Sequence, residues 1–177
     1  MALPSVAIIG QPNVGKSSLL NALAGRMISI VEPTAGVTRD RVSAVIEIGG
    51  RYIELIDTGG YGIVDADALE EHVENQIRQG IACADLILFV VDIRQGITPL
   101  DTAIAQLLRK ENPKVILVAN KADTVRLFPT AGEFERLGFG PATCISVTSN
   151  LNKSKLLEQI DEEPSHQIGR AAGRENV

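Results

Sequence analysis

Tryptophan is absent from the sequence, and its only aromatic residues are four Phe and two Tyr. Any core must therefore be aliphatic, drawn from the 45% of residues that are apolar, an ordinary fraction for a globular protein. Cysteine is scarce: Cys83 and Cys144 stand far apart, with no metal or redox spacing. They are expected as two buried thiols in a reducing compartment. His72 and His166 lack ligand partners at useful spacing and are expected on the surface. No apolar run approaches the ~20 residues that span a bilayer. Met1-Ala2-Leu3-Pro4 leads into the first apolar segment without the basic start of an export signal. The expectation is a cytoplasmic protein with no membrane partner. Excess positive charge is also missing: 17 Lys and Arg face 22 Asp and Glu, a net charge of −5. No basic patch dominates, which argues against direct nucleic-acid binding by this chain through bulk electrostatics. There is no internal repeat, and 177 residues suit one domain with a sizeable core.

What is present is organised around Gly10-Gln11-Pro12-Asn13-Val14-Gly15-Lys16-Ser17, which reads G-x-x-x-x-G-K-S. It follows the apolar run Val6-Ala7-Ile8-Ile9 and precedes Ser18-Leu19-Leu20-Asn21-Ala22-Leu23-Ala24, apolar at helical spacing. Strand, glycine loop and helix form the context a phosphate-binding loop requires. Glycines let successive N–H groups point inward, and the helix start adds partial positive charge. Lys16 can reach outer phosphates as a point charge, and the Ser17 hydroxyl can hold magnesium.

Along the rest of the chain, 26–40 reads as a long loop containing Pro33 and Gly36. Strands at 42–48 and 52–56 flank Gly49-Gly50-Arg51, a hairpin signal. A flexible stretch from 61 to about 68 leads to a helix near 69–83, then the buried-type strand Leu86-Ile87-Leu88-Phe89-Val90-Val91, closed by Asp92. Thr98 can cap a helix that starts with Pro99 and runs to about Glu111. Another buried strand, Lys114-Val115-Ile116-Leu117-Val118-Ala119, is followed by a short helix near 131–137, a strand at 143–146 and a helix near 152–160. The alternation predicts an α/β fold, a mainly parallel sheet covered on both faces, with one antiparallel edge strand. From Asp161 onward the composition shifts, so 1–160 reads as one domain and 161–177 as a linker or disordered tail.

Two further motifs begin where strands end, the edge at which such sheets bind ligands. In Asp57-Thr58-Gly59-Gly60, the carboxylate can reach magnesium through water and the glycines allow close approach to a terminal phosphate. In Asn120-Lys121-Ala122-Asp123, a carboxylate at Asp123 can accept from N1–H and the exocyclic amine of guanine. Adenine lacks that pair of donors and would leave the carboxylate unpaired. Asn120 can support the purine N7, and the Lys121 stem can lie over the ring. In this order the three motifs point to GTP rather than ATP. A hydroxyl from Thr34 or Thr38 can complete a magnesium shell.

These motifs, with Ala35-Gly36-Val37-Thr38-Arg39-Asp40-Arg41, Val31-Glu32-Pro33 and Gly96-Ile97-Thr98-Pro99-Leu100-Asp101, resemble bacterial GTPases of the translation-factor-related class. The similarity, over about 4–160, is to the first GTPase domain of the tandem ribosome-assembly GTPases of the Der (EngA) family. The resemblance implies a P-loop NTPase with a Ras-like three-layer sandwich and a six-stranded sheet. It implies phosphate wrapping by Gly10 to Ser18, including Asn13, Val14 and Gly15. Ser17, Thr38 and Asp57 would serve magnesium, Gly60 would sense the γ-phosphate, and Lys16, Thr38 and Gly60 would serve catalysis. Asn120, Lys121 and Asp123 would select guanine, with Ser146 and Val147 at its O6 side. In potassium-stimulated relatives an Asn at the position of Asn13 helps hold a monovalent cation, so K+ joins GTP/GDP and Mg2+ as an expected cofactor.

Three features depart from the usual pattern. Tyr61 stands where many small GTPases place a water-orienting Gln, which implies slow intrinsic hydrolysis. Ser146-Val147-Thr148 replaces the usual Ser-Ala, and the bulkier Val is expected to loosen the base site. The family's second GTPase domain and C-terminal KH-like domain do not follow, so the large ribosomal subunit is an expected partner only together with those domains. The competing expectation is a nucleotide-gated binding module with negligible turnover of its own. An ATP-dependent P-loop enzyme is disfavoured by Asp123.

Overall fold

The computed structural model describes residues 3–25, 42–58 and 69–163. Among them six segments form strands: β1 (Ser5–Ile9), β2 (Val42–Ile48), β3 (Arg51–Asp57), β4 (Leu86–Asp92), β5 (Val115–Asn120) and β6 (Thr143–Cys144), with β1, β4 and β5 the continuous apolar runs. They make one six-stranded sheet in the order β2-β3-β1-β4-β5-β6. Only the β2–β3 pair is antiparallel, through the Gly49-Gly50 turn, where both glycines hold positive φ. The predicted mainly parallel sheet with one antiparallel edge strand is the observed one.

Alternation along the buried strands sorts their side chains onto two faces. Val6 and Ile8 of β1 with Leu86, Leu88 and Val90 of β4 face α1 (Lys16–Ala24) and α4 (Lys153–Glu162), represented by Leu19, Leu23, Leu156 and Ile160. Ala7, Ile9, Ile87, Phe89 and Val91 face α2 (Leu69–Cys83), α3 (Pro99–Glu111) and a 3-10 segment (Val125–Leu137), with Val73, Ile77, Ile104, Leu108 and Phe134. Gly80 lets α2 sit close on β1: a β-carbon there would lie 2.7 Å from Ile9 Cδ1.

Helix ends depend on local chemistry. Thr98 caps α3 as predicted, and Asp101 completes a capping box: Asp101 N–H donates to Thr98 Oγ1, and Thr98 N–H to Asp101 Oδ2, each at 3.1 Å. Burial raises the Asp101 carboxyl above its ordinary pKa, only partly offset by these hydrogen bonds from Thr98, while Asp92 adds to the rise.

Several expectations need correction. Helix α1 starts at Lys16 rather than Ser18, because Gly15 in the left-handed region delivers the chain directly into helical geometry. The expected helix at 131–137 is the end of a longer 3-10 run. Pro129 removes one donor, and the buried Ala131, Phe134 and Leu137 repeat every three residues, the 3-10 period. Strand β6 stops at Cys144, and Ser146 instead bridges Leu151. Helix α4 runs to Glu162, two residues past the expected domain limit. Cys83 is exposed, not buried, since α2 ends there beyond its last core contact; Cys144 is half-buried, which raises its thiol pKa. Thr34, Thr38, Gly59, Gly60, Tyr61, His166 and the tail from 164 lie outside the described residues, as does the His72 side chain. No described helix is long and apolar enough to cross a membrane.

The capping box generates a stability prediction. Thr98→Ala should cost about 1–2 kcal/mol, because it removes the acceptor for Asp101 N–H. The midpoint of urea unfolding should fall with unchanged slope.

Candidate functional site

Strands β1, β3, β4 and β5 end on one edge of the sheet, and the residues they deliver meet there. The turn after β1 needs three unusual backbone positions. Gly10 lies so close to β4 that a β-carbon would stand 2.5 Å from Val90 O, and its N–H donates to Gln76 Oε1 of α2 at 3.2 Å. Asn13 (φ 70°) and Gly15 (φ 97°) lie in the left-handed region. Val14 sinks into the core, fixing the turn from below, and Ser17 and Ser18 open α1 on its exposed side.

Lys16 points back across this turn. Its Nζ donates to Gly10 O and Gln11 O, both at 2.9 Å, and the residue is only 8% exposed. Burial pushes its pKa down to about 8, with the Asp57 carboxylate partly opposing the shift. An ammonium kept out of water beside two carbonyls is poised for an anion. Asp57, the buried last residue of β3, accepts from Ser17 Oγ at 2.8 Å. This places two oxygen donors together, the chemistry a magnesium ion prefers. Thr58 steadies the strand end by donating from Oγ1 to Ile8 O at 3.1 Å.

The end of β5 is tied to the same turn. Asn120 Nδ2 donates to Val14 O at 2.9 Å, and its Oδ1 accepts from Val147 N–H at 3.4 Å. Lys121, at φ 67°, donates from Nζ to Asn13 O at 2.7 Å and pairs with Asp92 Oδ2 at 3.1 Å. Asp123 Oδ1 accepts from Ser146 Oγ at 2.6 Å, and the Arg94 guanidinium pairs with Asp123 Oδ2. Val147 packs partly against the core.

The structure thus brings together Gly10, Asn13, Val14, Gly15, Lys16, Ser17, Ser18, Asp57, Asn120, Lys121, Asp123, Ser146 and Val147. The sequence reading of the site missed Gln76, Arg94 and the contacts that Asp92 makes with Arg94 N–H and Lys121. Asp92 carried a readable signal, a carboxylate closing an apolar strand at the same edge as Asp57. Gln76 is a polar residue on the buried face of an amphipathic helix, a pattern that says nothing about its partner.

A mainly parallel sheet with a glycine-bearing G-x-x-x-x-G-K-S turn after its central strand and Lys16 folded over that turn defines a P-loop nucleotide-binding domain. The chain belongs to the 50S ribosome-binding GTPase family, whose model matches residues 5–121. It is 49% identical over 160 residues to GTPase Der of Rhodopirellula baltica, covering 90% of this chain and 35% of that protein. To GTPase Der of Clostridium perfringens it is 42% identical over 187 aligned residues, covering 100% of this chain and 43% of that one. The chain therefore spans less than half the length of these curated relatives. A solved structure of Aquifex aeolicus Era bound to GDP and AlF4- superposes with a TM-score of 0.71 at 36% identity, over 90% of this chain and 56% of that chain.

The buried ammonium makes stability depend on pH. Between pH 8 and the ordinary lysine value of 10.5, the unfolded chain holds the Lys16 proton and the folded chain does not. Stability therefore rises with pH through that window, by up to about 1.4 kcal/mol per unit. In urea unfolding without nucleotide, the native chain should gain on Lys16→Met from pH 8 to 10. Parallel pH profiles would refute the buried charge.

Proposed function

We propose that the chain through the end of α4 at Glu162 forms a domain that binds GTP and hydrolyses it to GDP and phosphate, with the residues beyond it as its linker. The domain acts in the cytoplasm, within a longer Der-like protein that assembles the large ribosomal subunit. The reading is carried by the 2.9 Å contact from Asn120 to Val14 O, which makes the base-reading and phosphate-binding loops one body. A nucleotide seated along this edge would meet both with little rearrangement.

In this reading the loop N–H groups and Lys16 take the phosphates, and Lys16 supplies charge where negative charge grows on the transferred group. Asp123 reads guanine, with Asn120, Lys121, Ser146 and the Val147 N–H shaping the base pocket. Ser17 and Asp57 suit magnesium, with Thr38 from the preceding loop; bound magnesium would neutralise phosphate charge. The exposed Asn13 side chain offers a neutral oxygen suited to K+. Gly60 would respond to the γ-phosphate. Tyr61 in place of a water-orienting Gln favours slow turnover, and a nucleotide-gated docking module that barely hydrolyses on its own is the second reading.

GTP turnover in potassium against sodium buffer, with GDP and GTP affinities alongside, tests these readings. Potassium should stimulate hydrolysis, Lys16→Met should lower it about 100-fold or more, and Asp123→Asn should weaken GTP binding roughly 10- to 100-fold. Tight guanine-nucleotide binding with no turnover in either salt would favour the docking module. Comparable ATP and GTP affinity would overturn both. The chain alone should not sediment with large ribosomal subunits in a salt-resistant way.

A further inference from the structure

We propose that Arg94 is a positioning residue for guanine recognition, holding the Asp123 carboxylate in its reading orientation. The proposal rests on the guanine-nucleotide reading above and adds a residue from outside the phosphate loop and the base motif. Arg94 lies two residues past the end of β4, in the turn that leads to α3. That turn is unusually well fixed. Arg94 N–H donates to Asp92 Oδ1 at 2.9 Å, and Asp92 is only 4% exposed. The other Asp92 oxygen lies 3.1 Å from Lys121 Nζ, which also holds Asn13 O. Asp92 pairs in register with Asn120, and Ile93 N–H donates to Asn120 O at 3.1 Å. The main chain that carries Arg94 is therefore anchored to the strand end that carries the base motif.

From this anchored turn the Arg94 guanidinium reaches Asp123 Oδ2, while Ser146 Oγ donates to Oδ1 at 2.6 Å. An ionised carboxylate offers about four lone-pair sites, two on each oxygen. The two protein donors take one on each oxygen and leave one on each. Guanine presents two adjacent donors, N1–H and the exocyclic amine, which need one site on each oxygen. The count matches. The last torsion of an Asp side chain has a broad, shallow profile, so a carboxylate held at one oxygen only can turn. Holding both oxygens fixes its plane before the base arrives and lowers the ordering cost of binding. The Arg94 and Asp123 side chains are 58% and 27% exposed, so solvent screens the pair and its effect is modest.

The test uses the whole chain and fluorescent GDP and IDP; inosine keeps N1–H but lacks the exocyclic amine. Arg94→Ala should weaken GDP binding roughly two- to fivefold. IDP should lose less, so the GDP/IDP preference narrows, and the loss should shrink in high salt. Arg94→Lys should recover part of the affinity. In an Asp123→Asn background, Arg94→Ala should have no further effect, the signature of action through Asp123. A merely structural arginine would shift the thermal midpoint and leave the GDP/IDP ratio alone. Unchanged or tighter GDP binding with an unchanged ratio would overturn the proposal and leave the guanine reading standing. No guanine preference in the unaltered chain would overturn both.

Discussion

The amide of Asn120 occupies the space that a β-carbon on residue 15 would need, 2.5 Å from its Nδ2. Much of the site follows from that single approach. Because residue 15 is glycine, the amide can enter the turn and bond Val14 O; because the amide is there, its other end is free to meet Val147 N–H. Three loops, after β1, β5 and β6, are thereby locked through one side chain. The same glycine at φ 97° sets the direction in which α1 leaves the turn. A change at residue 15 would strain the backbone and expel the amide together.

Lys16 shows the opposing side of such a design. A buried ammonium held by two carbonyl oxygens, with the Asp57 carboxylate giving partial compensation, is a costly group, and its depressed pKa reflects that cost. Nothing in the packing of α1 requires a cation there; an aliphatic residue would suit a buried position better. The apolar faces, with Leu19, Leu20, Leu23 and the strand residues below them, hold the charge in place. Stability generated in the core offsets the cost of a charge that a bound anion would favour further, as expected when a site is organised for a ligand rather than for the empty fold.

How much of this was legible in the sequence depends on how far each signal reaches along the chain. Continuous apolar strands, the G-x-x-x-x-G-K-S turn and the Thr98-Pro99 helix start are local signals, and each element stands close to where the pattern put it. The 3-10 segment was legible only in part: Ala131, Phe134 and Leu137 repeat every three residues, a spacing shared by helices of either kind over so short a run. The exposure of Cys83 depends on where α2 meets the sheet, which no local pattern specifies. The hydrogen bonds that join Asn120 to Val14 and Gln76 to Gly10 cross 106 and 66 residues of chain. Such partners are set by strand order, and strand order is a property of the whole sheet.

That same property explains why the end of β4 belongs to the site. With β1 between β3 and β4, and β5 beyond β4, a ligand lying from the β1 turn to the β5 loop must pass the end of β4. Whatever residue closes β4 is buried at the middle of that path. Asp92 answers the constraint with a carboxylate whose two oxygens face different loops, one toward the Arg94 main chain and one toward Lys121. An apolar residue there would leave the Lys121 ammonium without its buried carboxylate partner. The strand order thus places a short, double-ended acceptor at this point, where it ties the turn after β4 to the loop after β5.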